Sequence, residues 1–341
     1  MKIGLYANTH GIGYRDETDL HARSVAVDQM RPVEVAQRAE EAGFHSIWFP
    51  DHVCMPTSSE SDHTANASGN RAYASQHNML DAQVVMGAVA AATTRIRLGT
   101  TCLIAPYRHP LSDARQLATL DVLSDGRLMV GVAAGWMVEE YDALGLDFSE
   151  RNSRLEECIE IYKRSWCDAL VSFEGDYYRF SSLSMDPKPI QQPRPPIVFG
   201  ATTPAGARRA VRCADGLYPL FLDPQARPDR YRKLQEEVRK EAESTGVDTR
   251  SFRMLCASSA RLCEVSEKHS PRRPICTGGP DAILDDLSEF AANGYSLVVL
   301  ALDCPSGSLS EFIDQISQIG ELVIPAAEGL VPRGEWKTVD H

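Results

Sequence analysis

Short apolar segments of β-strand type alternate along this chain with longer segments in which apolar residues recur every three or four positions. This alternation is typical of βα units around a parallel sheet. Eight strands are predicted in this way. They are Ile3–Ala7, Ser46–Pro50, Ile96–Thr101, Leu128–Ala133, Pro196–Gly200, Gly216–Leu220, Phe252–Ser258 and Leu297–Leu302.

Eight helices are predicted between these strands, and the first has Pro32 in its opening turn and Gly43 just after its end. Eight alternating pairs fit a closed barrel better than an open doubly wound sheet, and no low-complexity linker divides the chain. We expect an α/β fold, a single-domain (β/α)8 TIM barrel over residues 1–325, with a C-terminal tail over residues 326–341. The predicted helices are Pro32–Ala42, Ala82–Ala92, Leu111–Leu123, Arg151–Asp168, Pro204–Cys213, Arg227–Ser244, Asp281–Asn293 and Ser308–Leu322.

Two connections are longer than ordinary barrel loops, which predicts insertions after strands 2 and 4. The first, Cys54–Met79, is rich in Ser, Asn and His. It is either a tolerated surface insertion or a loop that covers a substrate, because loops after barrel strands line the active face. The second, Gly145–Pro195, contains the predicted helix Arg151–Asp168 and a turn-rich stretch, and we expect it to pack outside the barrel.

Composition and charge narrow the range of partners. Apolar residues make up 43% of the 341 residues, and the formal net charge of −12 opposes binding to nucleic acid or to an anionic membrane, although a local basic pocket could still hold a phosphate. The nine cysteines form no CxxC pair and no cluster with zinc-ligand spacing. No signal-peptide layout or long apolar run is present. We therefore expect a cytoplasmic protein with a small-molecule partner and no metal.

Common nucleotide, protease and hydrolase motifs are missing, which directs attention to the carboxyl ends of the barrel strands. Asp51 and His52 follow the second strand. A neutral imidazole beside a carboxylate can serve as an acid or a base, although the pair could also be a surface histidine next to a loop aspartate.

Small residues end the third and fourth predicted strands, in the segments LGTTCLIAP and GVAAGW. Small side chains let a flat ring approach the backbone closely, although the first segment could equally be a tight turn. Arg127 lies before the fourth strand, on the face of a barrel that contributes to stability, so we expect a structural role for it.

The segment GATTPAG, from Gly200 to Gly206, joins a strand end to a helix start. Backbone N–H groups, hydroxyl groups and the helix dipole together would form a phosphate site there. Thr202 or Thr203 could instead be a plain helix N-cap. Arg208 or Arg209 could add positive charge, although an exposed helix arginine is more often only solvated.

Taken together, the segments IWFPDH, AAATTRIRLGTTCLIAPYRHP, ATLDVLSDGRLMVGVAAGWMVEEYDALG and PPIVFGATTPAGARRAVRCADGLYP resemble the luciferase-like monooxygenase superfamily. The resemblance runs from Lys2 to about Ile324 in order and with ordinary spacing. Within the superfamily the chain is similar to a branch labelled as deazaflavin-dependent oxidoreductases.

The resemblance implies roles for individual residues. His52 matches the histidine near the reacting edge of the flavin, Asp51 the acidic residue before it, and His109 a position that often carries His or Asn. These three are the candidate catalytic residues. The candidate cofactor-binding residues are Thr101 and Cys102, joined in the family by a non-prolyl cis peptide, then Ala133, Ala134 and Gly135 against the ring, and Gly200, Ala201 and Thr202 at the phosphate. Luciferase itself carries Cys and Arg at the positions of Ala133 and Ala134, so those contacts do not transfer in full.

The activity implied first is that of a monooxygenase in which reduced FMN and dioxygen oxidise a small organic substrate, with a separate flavin reductase as a partner and a homodimer or higher homo-oligomer as the assembly. The first alternative is hydride transfer with the deazaflavin coenzyme F420. The acidic tail of F420 asks for a basic groove that the sequence does not reveal, which favours FMN. The second alternative is a non-catalytic flavin-binding partner subunit.

Overall fold

A ring of eight parallel strands closes on itself in the computed structural model, which describes residues 1–15, 19–63, 66, 68–221, 228–264, 273–334 and 336–337. Each strand pairs with the next, and the eighth pairs with the first in the register Lys2↔Leu297. The predicted (β/α)8 TIM barrel is confirmed. Its strands are β1 Lys2–Tyr6, β2 Ser46–Phe49, β3 Arg97–Thr100, β4 Leu128–Ala133, β5 Ile197–Phe199, β6 Gly216–Leu217, β7 Arg253–Leu262 and β8 Leu297–Leu302.

A helix follows each strand and covers the outside of the ring. Five of these helices open with a proline, whose missing N–H is not needed in the first turn. The predicted helix bounds differ from the observed ones by at most one residue at each end, and Arg227 lies outside the described residues. The helices are α1 Pro32–Glu41, α2 Ala82–Ala92, α3 Pro110–Leu123, α4 Arg151–Cys167, α5 Pro204–Cys213, α6 Pro228–Thr245, α7 Pro280–Ala292 and α8 Leu309–Leu322.

Apolar side chains fill two layers. One lies between the strands and the helices, and a smaller one fills the barrel interior, where Trp48, Met129, Tyr218 and Leu255 pack together. The Trp48 indole N–H donates to the Ser46 hydroxyl at 2.8 Å, which satisfies its polar atom inside the barrel. The interior is therefore a packed core, and open space is left above it at the strand ends.

Long connections follow β2 and β4, as predicted. The connection after β4 contains α4, which is the fourth helix of the barrel ring, and an outer antiparallel pair, Val171–Glu174 with Arg179–Leu183. The structure adds a long connection after β1 that the sequence did not predict. It contains the antiparallel strands Ile12–Arg15 and Leu20–Arg23 and the short helix Val27–Met30. The backbone N–H of Ala22 donates to the carbonyl of Ala72 at 2.6 Å, so the connections after β1 and β2 lie against each other.

The described residues beyond 325 contact the barrel. The helix Ile324–Ala327 follows α8, and the backbone N–H of Lys337 donates to the carbonyl of Phe252 at 2.9 Å. A domain boundary at residue 325 stays a prediction. Among the described residues, no helix combines the length and apolar content needed to span a bilayer.

Arg127 ties the barrel together at the amino ends of the strands. Its buried guanidinium donates to the carbonyl oxygens of Ala90, Thr93, Ile96 and Ser124, at 2.6–2.9 Å, and to the Thr93 hydroxyl. These groups belong to the end of α2, the start of β3 and the end of α3. The expected structural role of Arg127 is confirmed.

Arg127→Met should lower the free energy of unfolding by about 2–4 kcal/mol, because four carbonyl groups lose a charged donor. Urea unfolding measures the effect. The control is Arg115→Met, since the Arg115 guanidinium donates to one carbonyl, that of Asp186 at 2.8 Å, on the surface. A loss no larger than that of the control would contradict the structural role.

Candidate functional site

A cavity of about 360 Å³ opens at the carboxyl ends of the strands, where barrel enzymes place their active sites. Its walls come from the ends of β1 to β6 and β8, and from the connections after β1, β2 and β4. All eight candidate cofactor-binding residues line it: Thr101, Cys102, Ala133, Ala134, Gly135, Gly200, Ala201 and Thr202. His52 and Asp51 also line it, and His109 does not.

Small residues and a cis peptide form one side of the cavity. Thr101 and Cys102 are joined by the non-prolyl cis bond that the resemblance implies. Gly135 has φ +78°, a conformation that favours glycine. A Cβ on Gly200 would lie 2.7 Å from Cys102 Sγ and 3.3 Å from Ala133 Cβ. Residues 101–102, 133–135 and 200 thus meet in a low shelf, and a flat ring would fit against it.

The start of α5 borders the same cavity. Thr203 is its N-cap, since its hydroxyl accepts the backbone N–H of Gly206 at 3.2 Å. Thr202 and Thr203 both line the cavity, and Thr202 takes no part in this cap. The N-cap of α5 is therefore Thr203, and the phosphate role of Thr202 stays a prediction. The positive end of the helix dipole lies at the cavity wall.

Two arginines add positive charge at this end. Arg151, at the start of α4, lines the cavity, and its guanidinium lies 3.8 Å from the Phe148 ring centroid. Arg209 also lines the cavity and pairs with Glu156 at 2.9 Å. Arg208 pairs with Glu237 and is not a lining residue. Of the two arginines that the sequence suggested, only Arg209 lines the cavity, and Arg151 was not predicted because its helix lies in the long connection after β4, which was expected to pack outside the barrel.

His52 is held from both sides. Its Nδ1 lies 2.7 Å from a carboxylate oxygen of Glu140, and its Nε2 lies 2.5 Å from the Tyr73 hydroxyl. Glu140 is completely buried in the short helix Val138–Ala143. Its other oxygen accepts the backbone N–H groups of Val53 and Cys54, at 2.9 and 3.2 Å. The imidazole orientation is therefore fixed.

The charge of Glu140 follows from these contacts. Burial raises the pKa of Glu140, but the hydrogen bonds from His52 and from two backbone N–H groups outweigh burial and hold the pKa below its usual value. Burial raises the pKa of Tyr73 well above its usual value, so its hydroxyl stays protonated. Ionised Glu140 requires a proton on His52 Nδ1, which leaves Nε2 of a neutral imidazole to accept the Tyr73 hydroxyl proton.

Asp51 does not pair with His52, which corrects the interpretation of the two as an acid–base pair. Both carboxylate oxygens of Asp51 accept from the Arg108 guanidinium at 2.7 Å, and one also accepts the backbone N–H of Ile104 at 3.0 Å. Successive side chains of an extended segment point to opposite sides, so Asp51 and His52 diverge. Asp51 fastens the end of β2 to the turn after β3.

His109 is separated from the other candidate catalytic residues. Its Nδ1 accepts the backbone N–H of Leu111 at 3.3 Å, so it caps α3. Its ring packs against Tyr178, with centroids 5.5 Å apart. A cap explains this histidine, and its assignment as a catalytic residue has no support in the geometry.

Two further histidines line the cavity around Tyr73. The rings of His10 and His63 lie 5.8 and 6.0 Å from the Tyr73 ring, both edge to face. Burial, reinforced by the neighbouring histidines, lowers the pKa of His10 to about 3 and that of His63 to about 4. Both imidazoles are therefore neutral near pH 7. The loop after β2, which supplies His63 and Tyr73, lines the site and is more than a surface insertion.

The sequence profile of the luciferase-like monooxygenase family matches residues 9–269, most of the chain. The chain belongs to this family. An uncharacterised protein of Mycobacterium tuberculosis is 31% identical over 214 residues, 63% of this chain and 72% of the relative. The F420-dependent glucose-6-phosphate dehydrogenase of Amycolatopsis mediterranei is 32% identical over 220 residues, which cover 63% of this chain and 56% of the relative. The FMNH2-dependent dimethylsulfone monooxygenase of Pseudomonas putida is 36% identical over 141 residues, which cover 40% of this chain and 39% of the relative.

Solved structures agree on the fold. The monooxygenase RslO1 from Streptomyces bottropensis superposes with a TM-score of 0.72 over 96% of this chain and 99% of its own, at 22% identity. The coenzyme F420 dependent tetrahydromethanopterin reductase from Methanopyrus kandleri superposes with a TM-score of 0.70 over 95% of this chain and 99% of its own, at 18% identity. The protein is a luciferase-like oxidoreductase, in a family that includes both FMN-dependent and F420-dependent enzymes.

Three of the residues that shape this luciferase-like site, Glu140, Tyr73 and Arg151, had no role predicted from the sequence. Glu140 lies within the segment VEEYDALG that carried the resemblance, and an acidic residue just after a barrel strand was a usable signal. Tyr73 lies in a loop without periodicity, and nothing local marks it.

The lowered histidine pKa values predict acid-sensitive stability. In the unfolded chain His63 takes up a proton below about pH 6.5, whereas in the folded protein its pKa is about 4. Protons then favour the unfolded state, so the free energy of unfolding falls as pH drops from about 6.5 to 4. His63→Gln should reduce this fall by up to about 1 kcal/mol at pH 5. Urea unfolding from pH 8 to 5 tests this, and parallel curves for variant and wild type would contradict it.

Proposed function

We propose that the protein is a monooxygenase that uses reduced FMN and O2 to oxidise a small organic substrate. One observation supports this most strongly: a single cavity joins an anion-binding helix start, a shelf of small residues, and a histidine held between a carboxylate and a tyrosine. These parts match the phosphate, the ring and the proton chemistry of a flavin reaction.

The cavity residues divide between the two ends of FMN. The Thr202 hydroxyl, the backbone N–H of Ala205 in the first turn of α5 and the Arg151 guanidinium would hold the phosphate. The shelf formed by Thr101–Cys102 and Ala133–Gly135 would support the ring. Reduced FMN, when bound, supplies the two electrons that send one atom of O2 to the substrate and the other to water.

His52 moves a proton at the cavity wall. The Tyr73 hydroxyl donates to His52 Nε2 in the resting site. When His52 takes up a proton from the reacting group, Nε2–H donates to the Tyr73 oxygen instead, and the Tyr73 hydroxyl, still protonated, turns its O–H toward the cavity. Buried Glu140 stabilises the imidazolium through Nδ1–H. The small-residue shelf keeps water from the reacting atoms.

The balance of charge favours FMN over F420. Among the described residues that line the cavity, the permanent cations are Arg151 and Arg209, and Arg209 is paired with Glu156. That charge suits one phosphate, whereas F420 adds an acidic tail that would need more. A separate flavin reductase is the proposed source of reduced FMN, as a partner. Cytoplasmic location and homo-oligomeric assembly stay predictions.

Anaerobic titration with reduced FMN and with reduced F420, followed by mixing with O2, tests the proposal. We expect FMN to bind at least ten times more tightly than F420, and bound FMN to react with O2 at a rate different from that of free FMN. The reverse order of affinities would replace the proposal with F420-dependent hydride transfer. FMN binding with an unchanged O2 reaction would indicate a non-catalytic flavin-binding subunit.

Substitutions at two adjacent threonines test phosphate binding and helix capping separately. Thr202→Ala should weaken FMN binding by about 1–3 kcal/mol through loss of a charge-assisted hydrogen bond, with little change in stability. Thr203→Ala should lower the free energy of unfolding by about 1 kcal/mol and leave FMN affinity nearly unchanged, because it removes the cap of α5. Calorimetry and thermal unfolding on both variants measure this, and exchanged effects would refute the phosphate assignment.

Removing the proton-transferring groups His52 and Tyr73 should slow turnover. His52→Ala should lower turnover by roughly 10²–10⁴-fold on a substrate that the wild type oxidises, with FMN affinity almost unchanged. Tyr73→Phe keeps the ring and removes only the hydroxyl, so it should also slow turnover. The control is Tyr178→Phe, which removes a hydroxyl that does not line the cavity and that accepts a hydrogen bond from the Cys158 thiol at 3.7 Å. Near-normal turnover of folded His52→Ala would exclude the catalytic role.

A further inference from the structure

The wall of the cavity around Tyr73 is a chain of six aromatic or imidazole rings. Successive centroids lie 5.8 Å apart for Phe221 and Tyr6, 5.4 Å for Tyr6 and His10, and 5.8 Å for His10 and Tyr73. The chain continues through His63, 6.0 Å from Tyr73, to Trp136 at 4.9 Å. All six residues line the cavity. We call them the ring wall.

The six rings of the wall come from separate segments of the chain, and most of them remain open to the cavity. Its residues come from the end of β1 and the connection after it, the loop after β2, the end of β4 and the segment after β6. Only Tyr73 is buried, at 7% exposure, and the other five are half-buried, with part of their surface open. Adjacent rings meet at 52–89°, so faces and edges alternate along the wall. A flat aromatic guest can stack on such faces and meet such edges.

None of the six ring-wall side chains carries a permanent charge, and buried Glu140, which lies behind the wall, is already bonded to His52. The cations among the described residues that line the cavity are Arg151 and Arg209, on α4 and α5. The carboxylate Asp51 is neutralised by Arg108 at 2.7 Å. The lowered pKa values of His10 and His63 leave both rings uncharged near neutral pH. A charged guest at the wall would lose its hydration without gaining a counterion.

Three buried polar atoms beside the wall have no hydrogen-bond partner, and a hydroxyl group of a bound substrate could pair with them. Asn8 is 2% exposed and lines the cavity; its amide nitrogen donates to the carbonyl of Met30 at 3.1 Å, while Oδ1 has no partner. Nδ1 of His10 and Nδ1 of His63 are likewise buried without a partner. Buried polar atoms are costly unless they are hydrogen-bonded. A hydroxyl group both donates and accepts, so it suits either kind of atom.

We propose that the ring wall binds an uncharged, hydroxylated aromatic substrate. The proposal rests on the proposed function in one respect, since FMN fills the shelf and leaves the space along the wall for the substrate. Stacking on the rings supplies the preference for an aromatic body, and Asn8, His10 and His63 supply partners for the hydroxyl group.

Calorimetric titration of the FMN-loaded protein at pH 7 with three probes of similar size tests this. The probes are 2-naphthol, its saturated counterpart 2-decalol, and the anion 2-naphthoate. We expect 2-naphthol to bind at least tenfold more tightly than either of the others. Equal binding of 2-decalol would overturn the aromatic preference, and tighter binding of 2-naphthoate would overturn the preference for an uncharged guest.

Two variants of one residue separate ring stacking from loss of fold. His63→Leu should lower 2-naphthol affinity at least threefold and leave FMN affinity unchanged, whereas His63→Phe keeps a ring and should keep the preference over 2-decalol. The control is Phe173→Leu, whose ring stacks on Phe180 in the outer antiparallel pair. A loss of 2-naphthol affinity in the control equal to that in His63→Leu would contradict the assignment.

The same probes distinguish this inference from the proposed function. If FMN fails to bind, the proposed function is wrong, and the three titrations are repeated on the FMN-free protein. A retained tenfold preference for 2-naphthol would then still support the ring wall, and its absence would overturn it. FMN binding without the preference would overturn the ring wall alone.

Discussion

Parallel closure of the barrel is the constraint on which the site depends. Because β8 pairs with β1 and all eight strands run in the same direction, the carboxyl ends of all strands open on one rim. Residues as distant in sequence as Tyr6, Thr202 and Leu302 thereby line one cavity. Arg127 secures the opposite rim, so stability and chemistry occupy different faces of the barrel.

Charge is distributed unevenly within that cavity, and this asymmetry carries the functional argument. The start of α5 and Arg151 supply positive charge, while the ring wall carries no permanent charge and its histidines are neutral near pH 7. His52, fixed by Glu140 and Tyr73, lies against the ring wall. An anionic cofactor tail and a neutral substrate body would thus be drawn to different walls of the cavity, with the proton-transferring group beside the substrate.

The fold could be predicted because its signals are local. Apolar periodicity located all eight strands and helices to within a few residues. Strand-end position and family resemblance located the shelf residues and His52, since any barrel brings strand ends together. The hairpin after β1 was missed because its four-residue strands are short and polar.

The partners of His52 could not be predicted in the same way. Glu140 lies 88 residues away in sequence, and Tyr73 lies on a loop whose path depends on tertiary contacts. Asp51 was favoured because it is adjacent in sequence, but extended geometry turns neighbouring side chains apart and delivers Asp51 to Arg108. Asp51 was thus the wrong partner for His52, because the direction of a side chain, and not its position in sequence, decides what it contacts.

A crystal structure of the protein with bound FMN tests the central claim most directly. The account predicts the phosphate within hydrogen-bonding distance of the Thr202 hydroxyl and the Ala205 N–H in the first turn of α5, near Arg151. It predicts the ring against Thr101–Cys102 and Ala133–Gly135, with its edge toward His52. A phosphate beside His10 and His63, or FMN bound outside this cavity, would contradict it.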